Sequence, residues 1–178
     1  DFTRKAEKVQ SGVPMVLHEF PGAAKANRLG FARWVASKRN PLLARVTVNR
    51  MWQQYFGVGL VETENDFGTQ GLPPSNRTLL DWLATEFMRV NWSRKAMHKL
   101  IVTSATYRQS SNARADIANT DPNNKLLARQ NRLRLDAEII RDVSLASSGL
   151  LSKKMGGPGV FPPQPPGCMN LGQHNRKW

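Results

Sequence analysis

Only one cysteine, Cys168, occurs among the 178 residues. A lone thiol excludes an internal disulfide, a C-x-x-C metal site and a C-x-x-C-H haem attachment within this chain. No apolar run approaches the roughly 18 residues that a membrane span needs. The opening DFTRKAEKVQ lacks the apolar stretch of a signal peptide and reads as the middle of something longer. Acidic residues are scarce too: 13 Asp plus Glu face 26 Lys plus Arg, a formal net charge of +13. That excess suits an anionic partner such as nucleic acid, an acidic polysaccharide or an anionic membrane surface. The cations are spread along the chain rather than gathered in one tract, which weakens the nucleic-acid reading. A segment of a longer protein whose other domains carry the opposite charge explains them equally well.

What is present is enough for a core. The length suits one sizeable domain, and four of the five tryptophans, Trp34, Trp52, Trp82 and Trp92, sit in or beside amphipathic stretches. Residues 1–26 hold Gly12, Pro14, Pro21 and Gly22 and read as an irregular lead-in. Asn27 is placed to cap a first helix with Leu29, Ala32, Val35 and Ala36 on one face. Asn40-Pro41 reads as cap and first residue of a second helix, which Gly57 stops after Phe56. The stretch 57–74, with four glycines and two prolines, is a long central loop of the sort that often carries function. Ser75 is the expected cap of a third helix, where Leu79, Leu80, Leu83, Phe87 and Val90 recur at helical spacing. Trp92-Ser93 starts a fourth with Met97, Leu100 and Ile101. A polar connection follows Tyr107, then a short helix from Asp121-Pro122 to Arg129, and a longer one over 134–151. The tail GGPGVFPPQPPG is too rich in proline and glycine for regular structure. The expected fold is mainly α: a lead-in over 1–26, an irregular helical domain over 27–155 with one long central loop, and an extended Pro/Gly-rich C-terminal arm over 156–178.

Three constellations could carry chemistry. Asn49, Arg50, Trp52, Gln53 and Gln54 lie along the second helix, with Asn49 and Gln53 on one face. Amide and guanidinium donors beside an indole suit a sugar or a base, which needs stacking plus directional hydrogen bonds. The simpler explanation is that Trp52 packs in the core while the amides tie down the following loop, whose backbone needs partners. Glu62, Glu64 and Asp66 alternate along VETENDFG, so an extended segment sets them on one side, suited to acid/base work or a hard cation. An acidic turn offsetting nearby arginines accounts for them more simply. The DFG triplet lacks the phosphate loop and HRD triplet of a kinase. Glu138, within a run of Arg132, Arg134, Asp136, Arg141 and Asp142, reads first as a salt-bridge partner and second as a carboxylate held by arginines for catalysis.

Other chemistry is thinly supported. His18, His98 and His174 are far apart in sequence, and no GxSxG elbow or metal-ligand spacing occurs. Arg94, Lys95, Lys99 and Arg108 near Trp92 and Tyr107 form a candidate basic stripe for single-stranded nucleic acid, or an ordinary solvated helix face. Whether the chain is an enzyme is open at this point.

The segments NRLGFARWVAS, NPLLARVTVNRMWQQYFGVGLVETENDFGTQG, LLDWLATEF, LIVTSATYRQSS, LLARQNRLRLDAEIIRD and GGPGVFPPQPPG, in this order, resemble a planctomycete-specific domain of unknown function, family 1553. The resemblance spans about 27–167. It implies one module of an exported, periplasmic or cell-surface, multidomain protein beside a second unknown domain and a cytochrome-c-like module. Any haem is then expected in the neighbouring domain and no cofactor in this chain. The implied partners are the other domains of the same protein, and the setting suggests a carbohydrate-facing or scaffold role. A polysaccharide-active enzyme using Glu64 or Asp66, with Arg50 and Trp52 lining the site, is the alternative. The resemblance brings no catalytic residues with it.

Overall fold

The computed structural model describes residues 11–20, 27–117 and 119–158. Among them are six α-helices, one 3-10 turn and no strand. The helices are α1 (Arg28–Val35), α2 (Leu43–Phe56), α3 (Arg77–Arg89), α4 (Arg94–Val102), α5 (Ala105–Arg108) and α6 (Ala137–Ser147); the 3-10 turn is Ala115–Ile117. The chain divides into two compact units, Asp1–Leu133 and Arg134–Trp178. The first holds α1 to α5 and the second holds α6. No helix among the described residues is long and apolar enough to cross a membrane.

Helix starts follow side-chain capping. Asn27 Oδ1 accepts from Gly30 N at 2.9 Å, as the sequence implies. The buried face of α1 is Gly30 and Trp34, however, and Leu29 is exposed. Trp34 decides this, because its ring stacks on His18 and its Nε1 donates to the His18 carbonyl at 2.9 Å. Asn40 Oδ1 accepts from Leu42 N and Leu43 N at 2.9 and 3.3 Å, so α2 begins at Leu43, two residues later than Pro41 would have it. Gly57 ends α2 at φ 81°, a left-handed conformation that glycine adopts freely. The cap of α3 is Asn76, whose Oδ1 accepts from Leu79 N, rather than Ser75, whose backbone N–H donates to Leu60 O at 2.7 Å. Ser93 caps α4 through Ala96 N, and Ser104 caps α5 through Tyr107 N.

The core of the first unit is made by α2 and α3 packed together and closed by α4. Val48, Met51, Trp52 and Phe56 meet Leu80, Leu83, Ala84 and Phe87, with Met97 and Ile101 alongside. The long loop takes part: Leu60 and Val61 are buried with the helices.

Two expected helices come out differently. Residues 121–129 form turns, because the Asp121 carboxylate captures Lys125 N and Leu126 N at 2.9 and 2.8 Å. Asn124 and Leu127 then take left-handed φ values of 51° and 53°. In the second unit α6 is shorter than 134–151 at both ends: Asp136 is extended, and Gly149 turns at φ 75°. Its Ile139, Ile140 and Val143 are exposed. Most of the C-terminal arm lies outside the described residues.

Candidate functional site

The distribution of α2 side chains between core and solvent defines what the central constellation can do. Asn49 has no exposed surface. Its Oδ1 accepts from Val61 N at 2.9 Å and its Nδ2 donates to Val61 O at 3.0 Å, so the carboxamide pairs with the loop as a neighbouring strand would. Gly59 makes the approach possible: a Cβ there would sit 2.6 Å from Asn49 Nδ2. Both functional atoms of Asn49 therefore serve the loop. Arg50 is exposed and donates to Asn65 Oδ1 at 3.3 Å. Gln53 is half-buried one turn beyond Asn49. Trp52 is 6% exposed and stacked on Phe56 at 4.2 Å.

Trp52 lines a cleft of about 380 Å³ between the end of α2, the start of the loop and the 121–131 turns. Its floor is apolar, from Trp52, Phe56, Leu60 and Leu127. Its polar side chains are Glu62, Ser75, Asn123, Asn124, Lys125 and Asn131. Lys125 Nζ meets Glu62 Oε1 at 2.5 Å, joining two loops distant in sequence; both side chains remain partly exposed, at 52% and 35%. The wall behind them is fixed by amides. Buried Asn124 donates to Arg129 O and Asn131 Oδ1, both at 2.8 Å. Asn131 Nδ2 donates to Phe56 O at 2.8 Å, and Gln130 Nε2 to Tyr55 O at 3.3 Å, so the open carbonyls of α2's last turn are filled by side chains.

The three alternating carboxylates part company. Glu62 lines the cleft; Glu64 and Asp66 do not. Asp66 Oδ1 accepts from Gly68 N at 2.8 Å, and Asp66 O accepts from Thr63 Oγ1, which in turn accepts from Leu72 N. These bonds make Asp66 a turn former. Glu138 is exposed on α6 in the second unit. Among the described residues no group of three or more His, Cys, Asp or Glu is placed to hold a metal ion. Two perturbed ionisable groups lie on the core helices beside the cleft's own elements. The Arg45 hydrogen bond to Asp81, at 2.7 Å, holds that carboxyl below its ordinary range. Burial, then the neighbouring Tyr107, raises the Tyr55 phenol, which is hydrogen-bonded to His98 Nδ1 at 2.8 Å.

Of the residues lining the cleft, the sequence singles out Trp52 as a binding candidate, Glu62 only as one of three alternating carboxylates and Ser75 only as a helix cap, and it does not single out Asn123 or Lys125. The available signal was the Asp-Pro-Asn-Asn-Lys run at 121–125, whose turn-forming residues compete with the helix expected there. A cleft with one ion pair, amides and an apolar floor can bind a molecule having both C–H faces and hydroxyls. It does not hold two free carboxylates.

A family model described as PSD1, protein of unknown function (DUF1553), matches residues 27–178. Neither a curated protein nor a solved structure matches the chain.

Proposed function

We propose, for a chain that belongs to the PSD1 family of unknown function, that the cleft binds an uncharged saccharide. The observation that carries this is the Glu62–Lys125 pair set over the apolar floor of Trp52, Phe56, Leu60 and Leu127. A carboxylate accepts hydrogen bonds, an ammonium donates them, and the amide of Asn123 does both, which matches adjacent hydroxyls that do both. The pair is neutral, so the cleft holds no local excess of charge to draw an anion. Its volume falls within the range of small-molecule sites, roughly 300–1,000 Å³. Glu64 and Asp66 lie outside it, so the reading is binding and not hydrolysis.

The test is retention of the protein on immobilised neutral and acidic oligosaccharides. Neutral sugars are expected to retain it at physiological salt, with at least a tenfold loss of affinity on Lys125→Met or Glu62→Gln. Retention by polyanions alone, vanishing with salt, would mean that the +13 charge acts as a nonspecific field, and would overturn the reading.

The family resemblance of the motifs supports a wider setting. In it the chain is one module of an exported protein, periplasmic or at the cell surface, beside a cytochrome-c-like domain that holds any haem. Recovery of the full-length protein in the cytoplasm, without haem, would refute that setting.

A further inference from the structure

We propose that Trp82 is a second saccharide subsite continuous with the cleft, so that the ligand is a chain of sugars and not a single one. This rests on the saccharide reading of the cleft. Trp82 is 52% exposed, whereas Trp34 and Trp52 are 3% and 6% exposed. An indole left half in water on a well-formed helix forgoes the stabilisation of burial, and the buried face of α3 is filled without it.

The helical rotation fixes its surroundings. Leu80, Leu83, Ala84 and Phe87 take the buried face. At about 100° per residue, Trp82 shares the outer face with Thr78, Thr85, Glu86 and Arg89, and Leu79 lies about 60° round from it. Leu79 and Asn76 line a smaller cavity of about 190 Å³ that shares Trp52, Leu60, Ser75 and Lys125 with the cleft. From Leu79 to Trp82 the helix rises about 4.5 Å. With the roughly 60° of rotation added, a chain leaving the cleft past Leu79 meets the indole about two sugar units further on.

The chemistry around Trp82 selects the occupant. A protein hot spot is ringed by contacts that exclude water, whereas the outer-face neighbours here are two threonines and the Glu86–Arg89 ion pair. Hydroxyls beside an exposed ring suit a sugar, whose C–H face stacks while its edge hydrogen-bonds. Charge on α3 is balanced: Arg77 and Arg45 approach Asp81 at 3.9 and 2.7 Å, and Arg89 holds both Glu86 oxygens. The α3 face thus matches the neutral cleft, and offers a polyanion nothing that its own carboxylates do not already hold.

The experiment measures retention on immobilised neutral glucan, xylan and mannan oligosaccharides, and on polygalacturonate oligosaccharides, in lengths from two to eight units. For the wild type, retention on a neutral series is expected to rise with length. Trp82→Ala should flatten that rise, with at least a fivefold loss on the longest member and none on the disaccharide, and Trp82→Tyr should restore part of it. Circular dichroism and the urea midpoint check that the variants fold. If the wild type binds no neutral sugar, the cleft reading fails and the subsite with it. If binding is lost on Lys125→Met but the length dependence survives Trp82→Ala, only the subsite is overturned.

Discussion

Replacing Asn49 by alanine removes one side chain and strands two backbone groups. The N–H and the C=O of Val61 lose their partners at 2.9 and 3.0 Å, at a residue that is 3% exposed. A buried polar group left unsatisfied costs about 1–3 kcal/mol, so the pair predicts a loss of about 2–5 kcal/mol once partial relaxation is allowed. With a urea slope of about 2 kcal/mol per M, a loss near the middle of that range moves the midpoint down by about 1.8 M. Tryptophan fluorescence should follow it, since Trp52 lies one turn from Asn49 in the core. Hydrogen exchange gives a local check: the Val61 amide should lose protection even under conditions where α3 amides retain theirs. Arg50→Ala is the matched control on the exposed side of the same helix and should change stability by less than about 0.5 kcal/mol. A midpoint shift for Asn49→Ala no larger than that of Arg50→Ala would refute the claim that the carboxamide serves the loop.

Two more perturbations probe the scaffold. Gly71→Ala places a Cβ 2.1 Å from the Asp66 carbonyl oxygen, so the loop backbone must move; a loss of about 1–3 kcal/mol is expected by thermal melting, and an unchanged melt would contradict the tight loop. Asp81→Asn tests the Arg45 bridge against pH. Because the folded carboxyl is held below its ordinary value, its stabilisation is present above the unfolded value of about 3.9 and fades as pH falls through the folded one. With the carboxylate 38% exposed, the difference at neutral pH should be only about 0.5 kcal/mol. It should shrink below about pH 4, whereas growth in acid would reverse the assigned sign.

Local signals in the sequence carried most of the architecture. Helical spacing of Leu80, Leu83 and Phe87 and the Gly57 stop located α3 and the end of α2. Errors arose where two local signals compete. Ser75 and Asn76 are adjacent caps, and only the bond from Ser75 N to Leu60 O decides between them. At 121–129 the proline suggested a helix start, yet the Asp121 carboxylate bound the amides of the next turn. The site was less legible for a different reason. Trp52 and Glu62 are marked by their own neighbourhood, but Lys125 gains its role from a partner 63 positions earlier, a relation that no spacing rule encodes. Trp82 was counted as one tryptophan in an amphipathic helix, and only its place opposite Leu80 and Ala84 shows it to be on the outside.

The closing of α2 from a distance has a consequence for how the molecule comes into being. The carbonyls of Tyr55 and Phe56 are met by Gln130 and Asn131, each 75 residues downstream. As the chain leaves the ribosome, α2 and α3 can pair long before those two amides exist. Until they arrive, those two carbonyls have only water to bond, and the far wall of the cleft has not been made. The cleft is thus among the last parts of the first unit to take shape, and a nascent chain halted before residue 130 would hold much of the core without the cleft's far wall.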